Sequence, residues 1–331
     1  MNAIPTADDP TVEEHEPHWL GKIAFPIIAG LFFLTQISLG VAVYHNSYWI
    51  AAGLALVSSH LMHGLLIGFH EASHGLLRKS RVLNEIDGIL IGVFSLMSFS
   101  LYRAAHQLHH AYLASEKDEE LWPFVHPTMP RGVRVVAAIL ELTMGIFFTP
   151  YLFIRTFLRS GSPIRNTKLR RRIWKEFAMT AVVWALILTG TAVFGMWKYL
   201  LWLHVIPAWI AANMQSLRKY VEHVGLTGST VNSSTRSIVA TGWVADFITF
   251  TLLHEPYHGV HHWRSGLTHP YLPLHAEALE PKSEEERPPF RTYSAALYDV
   301  FINLGDPKVG AQWRGVTRQT RQEALAQQEA N

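Results

Sequence analysis

The sequence predicts an all-α integral membrane protein with about four transmembrane helices in two hairpins, interfacial helices beside them, and a histidine-rich cytoplasmic cap. Three observations predict this class. Only 16% of the 331 residues are charged, against about 25% in an ordinary soluble domain. Uncharged apolar stretches long enough to cross a bilayer occur in two pairs. The chain also holds 19 histidines and no cysteine, so a metal site in it would use imidazole rather than thiolate.

The first element is an acidic, proline-interrupted segment at 1–22, which we expect to form a tail because it has too few apolar residues to pack. The apolar stretches 23–44 and 48–69 follow, and each has about the twenty residues that span a bilayer. The first stretch is too long, and the segment before it too acidic, for a signal peptide. Together the two stretches predict a hairpin that returns the chain to its starting side.

A second pair of apolar stretches, 178–197 and 199–214, predicts the other hairpin. Before this pair, residues 155–175 carry eight arginines and lysines and no acidic residue. Loops of this kind stay in the cytoplasm under the positive-inside rule. Since each hairpin leaves and re-enters that side, we expect residues 70–175, the chain after 217 and both termini to be cytoplasmic.

Three further apolar runs, 86–101, 133–154 and 238–253, would break this parity if one of them crossed alone. We expect interfacial or re-entrant helices there, because the first run is short and the others contain acidic residues. Six spans are the alternative. Residues 281–331 are polar and charged and predict a cytoplasmic tail, which leaves 23–280 as one membrane domain. The net charge of +2 gives no reason to expect a nucleic-acid partner.

The histidines follow a repeated pattern close to the predicted spans. Residues 70–74 read H-x-x-x-H, and residues 106–110 and 258–262 both read H-x-x-H-H. On a helix, residues four apart share a face, whereas adjacent residues point about 100° apart. Neighbouring histidines are therefore predicted to serve different metals, which predicts two metal sites. With one histidine just beyond the fourth span, the candidate ligands are His70, His74, His106, His109, His110, His223, His258, His261 and His262.

Ligand type alone leaves the metal open, since imidazole suits zinc, copper, iron and nickel. His254, four residues before His258, is either a tenth ligand or a neighbour that orients one. Residues 70–74 and 254–258 also match H-E-x-x-H, the signature of zinc metalloproteases, so an intramembrane zinc protease is a rival hypothesis. Pro256 argues against it, because proline would break the helix that the second copy needs. A metal transporter is a third class, but its ligands would lie at mid-span.

In this order, and at these positions beside two predicted hairpins, the histidine boxes resemble those of the integral-membrane fatty acid desaturase and hydroxylase superfamily over residues 25–280. The resemblance implies a membrane oxidoreductase whose two iron ions, held mainly by histidines, activate O2 on the cytoplasmic face. It also implies a fatty acyl substrate drawn from the bilayer and a separate electron donor of the ferredoxin, rubredoxin or cytochrome b5 type. A multi-pass protein of a bacterial inner membrane is the expected setting.

Carried over position by position, the resemblance makes the nine histidines iron ligands. Glu222 would orient one of the ligand imidazoles, or else only pair with Arg218. The third box departs from the H-L-E-H-H that acyl-lipid desaturases often show, since residues 254–262 read H-E-P-Y-H-G-V-H-H. Fatty acid desaturation is therefore the first prediction, with hydroxylation and decarboxylation to a terminal alkene as alternatives on the same scaffold.

Overall fold

The computed structural model describes residues 16–316, so the parts of the predicted tails at 1–15 and 317–331 lie outside the described residues. The structure is 69% helical, and no β-strand occurs between residues 16 and 316. The prediction of an all-α membrane protein is confirmed. By length and composition three helices can cross a bilayer, or four if one bent pair of helices is a single span.

The first predicted hairpin is present. A short helix, α1 (Trp19–Lys22), ends the segment predicted as a tail, and α2 (Ala24–Tyr44) and α3 (Tyr48–His74) then pack along each other. Helix α3 continues past the predicted end of the span at residue 69. Gly75 terminates it with φ 76°, a left-handed conformation that glycine adopts without strain. The first histidine box therefore occupies the last turns of a membrane-spanning helix.

The run predicted at 86–101 forms a sharply bent pair of helices, α4 (Arg81–Phe94) and α5 (Phe99–Tyr112), which meet at 103°. The bend is tight because Gly88 lies against the ring of Phe99. A Cβ atom on Gly88 would come within 2.4 Å of two carbons of that ring. A bend of this kind is found in broken spans as well as in re-entrant segments, and it brings the second histidine box back toward the first.

The run predicted at 133–154 is divided between α6 (Arg131–Thr143) and α7 (Gly145–Leu158), which pack against the bundle. Helix α7 is apolar but too short to count as a span. A buried ion pair joins Glu141 of α6 to Lys219. This pair fixes α6 to the helix that ends at the candidate ligand His223.

The second hairpin consists of α8 (Thr167–Val193) and a continuous helical run up to His223. That run is α9 (Trp197–Leu200), a π-helical segment (Leu201–Val205) and α10 (Ile206–His223). Helix α8 is one of the three helices that qualify as spans, whereas the interrupted run is not counted among them. Because α10 ends at His223, this candidate ligand lies at the end of the second hairpin, as the first histidine box lies at the end of the first.

Glu176 of α8 connects this hairpin to the bent pair. Its carboxylate accepts hydrogen bonds from the Ser98 hydroxyl at 2.7 Å and from the Ser100 amide and hydroxyl at 2.9 and 2.6 Å. Arg172 pairs with the same carboxylate at 3.1 Å. Since Ser98 caps α5, these contacts fix the start of the helix that carries the second histidine box.

Three short helices complete the end of the bundle that carries the histidine boxes: α11 (Val231–Ser234), α12 (Trp243–Thr251) and α13 (His258–Trp263). Helix α12 occupies the run predicted at 238–253, and its Trp243 is 83% exposed. An exposed tryptophan on a short apolar helix fits the interfacial position expected for this run. The third histidine box forms α13.

The segment from 281 to 316 corrects the prediction of a charged C-terminal tail. It contains α14 (Tyr293–Asn303), whose Val300 is buried together with Val309 against Tyr220 of α10. Full burial of a valine stabilises the fold by about 1.5–3 kcal/mol. This part of the chain is therefore packed onto the membrane domain rather than separate from it.

Candidate metal centre

All nine histidines predicted as ligands meet at one end of the two hairpins. They come from the end of α3, from α5, from the end of α10 and from α13. Their ring nitrogens form two groups, and within each group the nitrogens lie within 4.8 Å of one another. The first group, called the five-histidine group, is His70, His74, His106, His110 and His261, and the second, called the four-histidine group, is His109, His223, His258 and His262.

The two H-x-x-H-H boxes divide between the groups as helical geometry requires. His106 and His110 are one turn apart and share the five-histidine group, while His109 points into the four-histidine group. The other box mirrors this arrangement, since His261 belongs to the five-histidine group and its neighbours at 258 and 262 to the four-histidine group. Each box therefore contributes to both groups, and the adjacent histidines separate as expected.

The Nε2 atoms converge within the five-histidine group. Nε2 of His106 lies 3.0 Å from Nε2 of His74 and 3.1 Å from Nε2 of His110. Nε2 of His261 lies 3.1 Å from Nε2 of His110. The rings of His70 and His74 are packed edge to face against the same neighbours. The converging atom is thus Nε2 in all four histidines joined by these distances.

The four-histidine group has the same arrangement. Nε2 of His258 lies 2.9 Å from Nε2 of His223 and 3.0 Å from Nε2 of His262. His109 packs edge to face against His223 and His262. All four side chains are buried.

The opposite ring nitrogen of four of the nine histidines is hydrogen-bonded to an oxygen acceptor, and that of His70 lies 3.3 Å from Oε2 of Glu255 without a hydrogen bond. Nδ1 of His106 lies 2.9 Å from Glu120, and Nδ1 of His109 lies 2.9 Å from Asp118. The remaining two contacts of this kind join Nδ1 of His223 to the carbonyl of Ser234 at 3.1 Å and Nδ1 of His258 to Glu255 at 3.0 Å. Carboxylates and carbonyls only accept hydrogen bonds, so Nδ1 carries the hydrogen and Nε2 carries the lone pair.

Nε2 of His223 and Nε2 of His258 therefore present lone pairs to each other at 2.9 Å, a contact that is repulsive unless a cation lies between them. Burial also lowers the pKa of His258 to about 4, even though Glu255 raises it, and holds the pKa values of His261 and His262 well below their ordinary value. These imidazoles are neutral at pH 7, as metal ligands must be. The donor set and its geometry fit a pair of metal ions.

The sequence left open whether Glu222 orients a ligand histidine or pairs with Arg218, and in the structure it does both. Its Oε1 lies 3.5 Å from Nδ1 of His258 and 2.6 Å from Nη1 of Arg218. The same Arg218 nitrogen lies 2.6 Å from Glu255. The pairing with arginine therefore holds the carboxylate beside the histidine instead of excluding that contact.

His254 lies outside both histidine groups. It adopts a left-handed conformation at φ 58°, and its Nδ1 lies 3.1 Å from Nδ1 of His269, on which its ring stacks. A turn of 3-10 helix (Glu255–Tyr257), with Pro256 as its second residue, separates His254 from His258. The two histidines of the second H-E-x-x-H motif therefore point to different surroundings, which removes the geometry that a zinc protease needs at that position.

Three acidic residues beside the histidines were not identified from the sequence: Asp118, Glu120 and Glu255. The run Asp118-Glu119-Glu120 follows the second box within ten residues and was a signal that could have found two of them. Glu255 was considered only as the glutamate of a protease motif. Metal-bound histidine usually donates its other N–H to such a carboxylate, so acidic residues near each box were worth seeking.

A mainly apolar cavity lies between the consecutive helices α3 to α7 and α10, beside the five-histidine group, and Glu141, Arg218 and Lys219 are the charged residues of α6 and α10 in its wall. Tyr102 lines it and stacks on His106, with ring centroids 5.3 Å apart and planes inclined by 7°. Glu120, which holds His106, forms part of the same wall. The apolar part of the wall includes Met62, Leu66, Phe69, Ile146, Pro150 and Phe153.

Comparison with known proteins identifies a family and two relatives. A family model described as fatty acid desaturase matches residues 47–294. A fatty acid desaturase of Bacillus subtilis (strain 168) is 32% identical over 82 residues, which are 25% of this chain and 22% of that protein. An omega-3 fatty acid desaturase, chloroplastic, of Glycine max is 25% identical over 118 residues, or 35% of this chain and 25% of that protein. The matches thus cover about a quarter of the length of either relative.

Proposed function

Because the chain belongs to the fatty acid desaturase family, we propose that this membrane oxidoreductase introduces a double bond into a fatty acyl chain, using two iron ions and O2. One observation carries the proposal: two groups of convergent imidazoles lie beside an apolar cavity within the helical bundle. A cavity of this kind suits a hydrocarbon chain. The histidine groups suit the metals that oxidise one.

In the proposed reaction, two hydrogens leave adjacent carbons of the acyl chain, and O2 is reduced to two molecules of water. The acyl chain supplies two of the four electrons, and a separate donor supplies the other two together with two protons from the medium. Iron bound by the two groups would supply the activation of O2 that attack on an unactivated methylene needs. The ferredoxin, rubredoxin and cytochrome b5 classes all remain candidates for the donor.

The residues of the chain have distinct tasks in this proposal. The nine histidines hold the metals, five at one site and four at the other. Asp118, Glu120 and Glu255 accept the Nδ1 hydrogens of His109, His106 and His258 and so fix the orientation of these three rings. The cavity beside Tyr102 holds the acyl chain next to the five-histidine group and excludes water from it.

We also propose that the N-terminus, the histidine boxes and the C-terminus face the cytoplasm of a bacterial inner membrane. Two observations support this orientation. The boxes lie at the ends of α3 and α10 and so on one side of both hairpins, and the basic residues of 155–175 lie before α8 and in its first turns, on that same side. We propose a catalytic domain that begins near residue 23 and includes the packed segment up to residue 316.

The test is mass spectrometry of the lipids and of the headspace gas of a host that expresses the protein. The variant His110→Ala, which removes a ligand of the five-histidine group, should form no product and bind less iron. The matched control His204→Ala removes a histidine that lies in the π-helical segment, outside both groups, and should remain active.

New unsaturated acids of unchanged carbon number would support desaturation. Terminal alkenes one carbon shorter than the host's fatty acids would show that the reaction is decarboxylation instead. Hydroxy acids would show that it is hydroxylation. A wild-type protein that binds no iron and forms none of these products would refute the proposal.

A further inference from the structure

The carboxylate of Glu255 contacts one histidine from each group. Its Oε1 lies 3.0 Å from Nδ1 of His258, and its Oε2 lies 3.3 Å from Nδ1 of His70. We propose that Glu255 is a positioning residue shared by both metal sites, so that the two sites gain and lose metal together. The inference rests on the proposed function in that it assumes two metal ions.

The other carboxylates near the histidines each serve a single group. Glu120 contacts His106, which belongs to the five-histidine group, and Asp118 contacts His109, which belongs to the four-histidine group. Within residues 16–316, Glu255 alone contacts histidines of both groups. The two oxygens of one rigid carboxylate are thus divided between two sites.

Arg218 fixes the orientation of this carboxylate. Its Nη1 lies 2.6 Å from Oε1 of Glu255 and 2.6 Å from Oε1 of Glu222. The side chain of Glu255 is only 1% exposed, and a buried carboxylate without a partner would be strongly unfavourable. The guanidinium therefore keeps Glu255 charged and limits its rotation.

The backbone before Glu255 supports the same inference. Helix α12 ends at Thr251, and both Leu253 and His254 then adopt positive φ values of 49° and 58°. Such conformations cost bulky residues about 1–3 kcal/mol each and persist where the surroundings require them. Here they turn the chain so that Glu255 lies between the two groups. The residue after Glu255 is Pro256, whose ring fixes its own φ angle.

A shared carboxylate couples the sites by a simple route. When a metal binds Nε2 of His258, its Nδ1 hydrogen becomes a stronger donor and holds Oε1 in place. Because both oxygens belong to one planar group, Oε2 is then held in position for His70. The second metal meets a histidine whose orientation is already fixed, so it binds with less loss of conformational freedom.

The experiment measures metal retention rather than turnover. Wild type, Glu255→Gln, Glu120→Gln and Asp118→Asn are purified in one detergent, stripped of metal and loaded with Co2+. A chelator is then added at a concentration that wild type withstands, and native mass spectrometry counts the ions that each chain retains. Loss of a carboxylate beside a ligand histidine lowers metal affinity about 10–100-fold.

We expect Glu120→Gln and Asp118→Asn each to retain one ion, because each loses support in a single group. Glu255→Gln should retain none. Glu255→Asp, whose shortened side chain keeps the charge but spans less distance, should lose more metal than either single-group variant. Size-exclusion chromatography and circular dichroism of the metal-free proteins, matched to wild type, show that each variant has folded.

Retention of one or two ions by a folded Glu255→Gln protein would overturn the shared role. A wild-type protein that takes up no metal would instead refute the proposed function. Failure of the inference and failure of the proposed function are therefore distinguished by the wild-type measurement.

Discussion

The ion pair between Lys219 and Glu141 leads to a prediction about stability. Lys219 is 8% exposed and Glu141 is 1% exposed, and the Tyr220 hydroxyl donates to the second carboxylate oxygen at 3.1 Å. Replacing Lys219 by methionine keeps the aliphatic length of the side chain but removes its charge. The buried carboxylate of Glu141 would then be left with the neutral Tyr220 hydroxyl as its partner. Removing one partner of a buried pair costs about 3–5 kcal/mol, which is more than a hundredfold in the folded-to-unfolded ratio.

The companion variant, Lys219→Met with Glu141→Leu, removes both charges. Replacement of a buried pair by apolar side chains is often neutral or stabilising, so the double variant should regain most of the lost stability. Thermal denaturation of both proteins in one detergent, followed by circular dichroism, measures the difference. A single variant as stable as wild type, or a double variant less stable than the single one, would refute this reasoning.

Four further predictions concern other parts of the molecule. Gly88→Leu should prevent α4 and α5 from closing on Phe99 and reduce the yield of folded protein, as gel filtration would show; an unchanged yield would contradict the packing described. Glu176→Gln should lower stability by about 1.5–3 kcal/mol, the value of a hydrogen bond to a charged group, and a thermal midpoint equal to wild type would count against it. Burial lowers the pKa of His258 from 6.5 to about 4, so the unfolded chain binds more protons and stability falls as pH drops from about 6.5 to 4; His258→Gln should flatten this dependence in metal-free protein. Glu71→Gln should keep oxidising acyl chains, whereas loss of a peptidase activity in that variant would favour the zinc protease.

The features that the sequence predicts well are those set by local geometry. The separation of His109 from His110 follows from the turn of an α-helix, and it needs no knowledge of the other helices. The first hairpin is equally local, because its apolar stretches and the short turn between them are contiguous. The histidine separation was predicted residue by residue, whereas the second helix of the hairpin extends five residues beyond its predicted end.

The features that the sequence did not predict depend on contacts between distant segments. Glu255 reaches both histidine groups only because Leu253 and His254 adopt positive φ values. Neither residue is a glycine, so the sequence gives no sign of a left-handed turn there. Val300 lies in a segment whose charge suggested a tail, and its burial depends on Tyr220, eighty residues earlier in the chain. The cavity wall likewise combines residues of six helices.

Helix α3 has a consequence for where in the bilayer an acyl chain would be oxidised. From Tyr48 to His70 the helix is unbroken, and at 1.5 Å per residue this distance is about 33 Å. The hydrocarbon core of a bilayer is about 30 Å thick, and Trp49, which is 93% exposed, suits its far boundary. The histidines then lie just at the near boundary, so a chain anchored by its polar end at the surface can reach them without leaving the membrane.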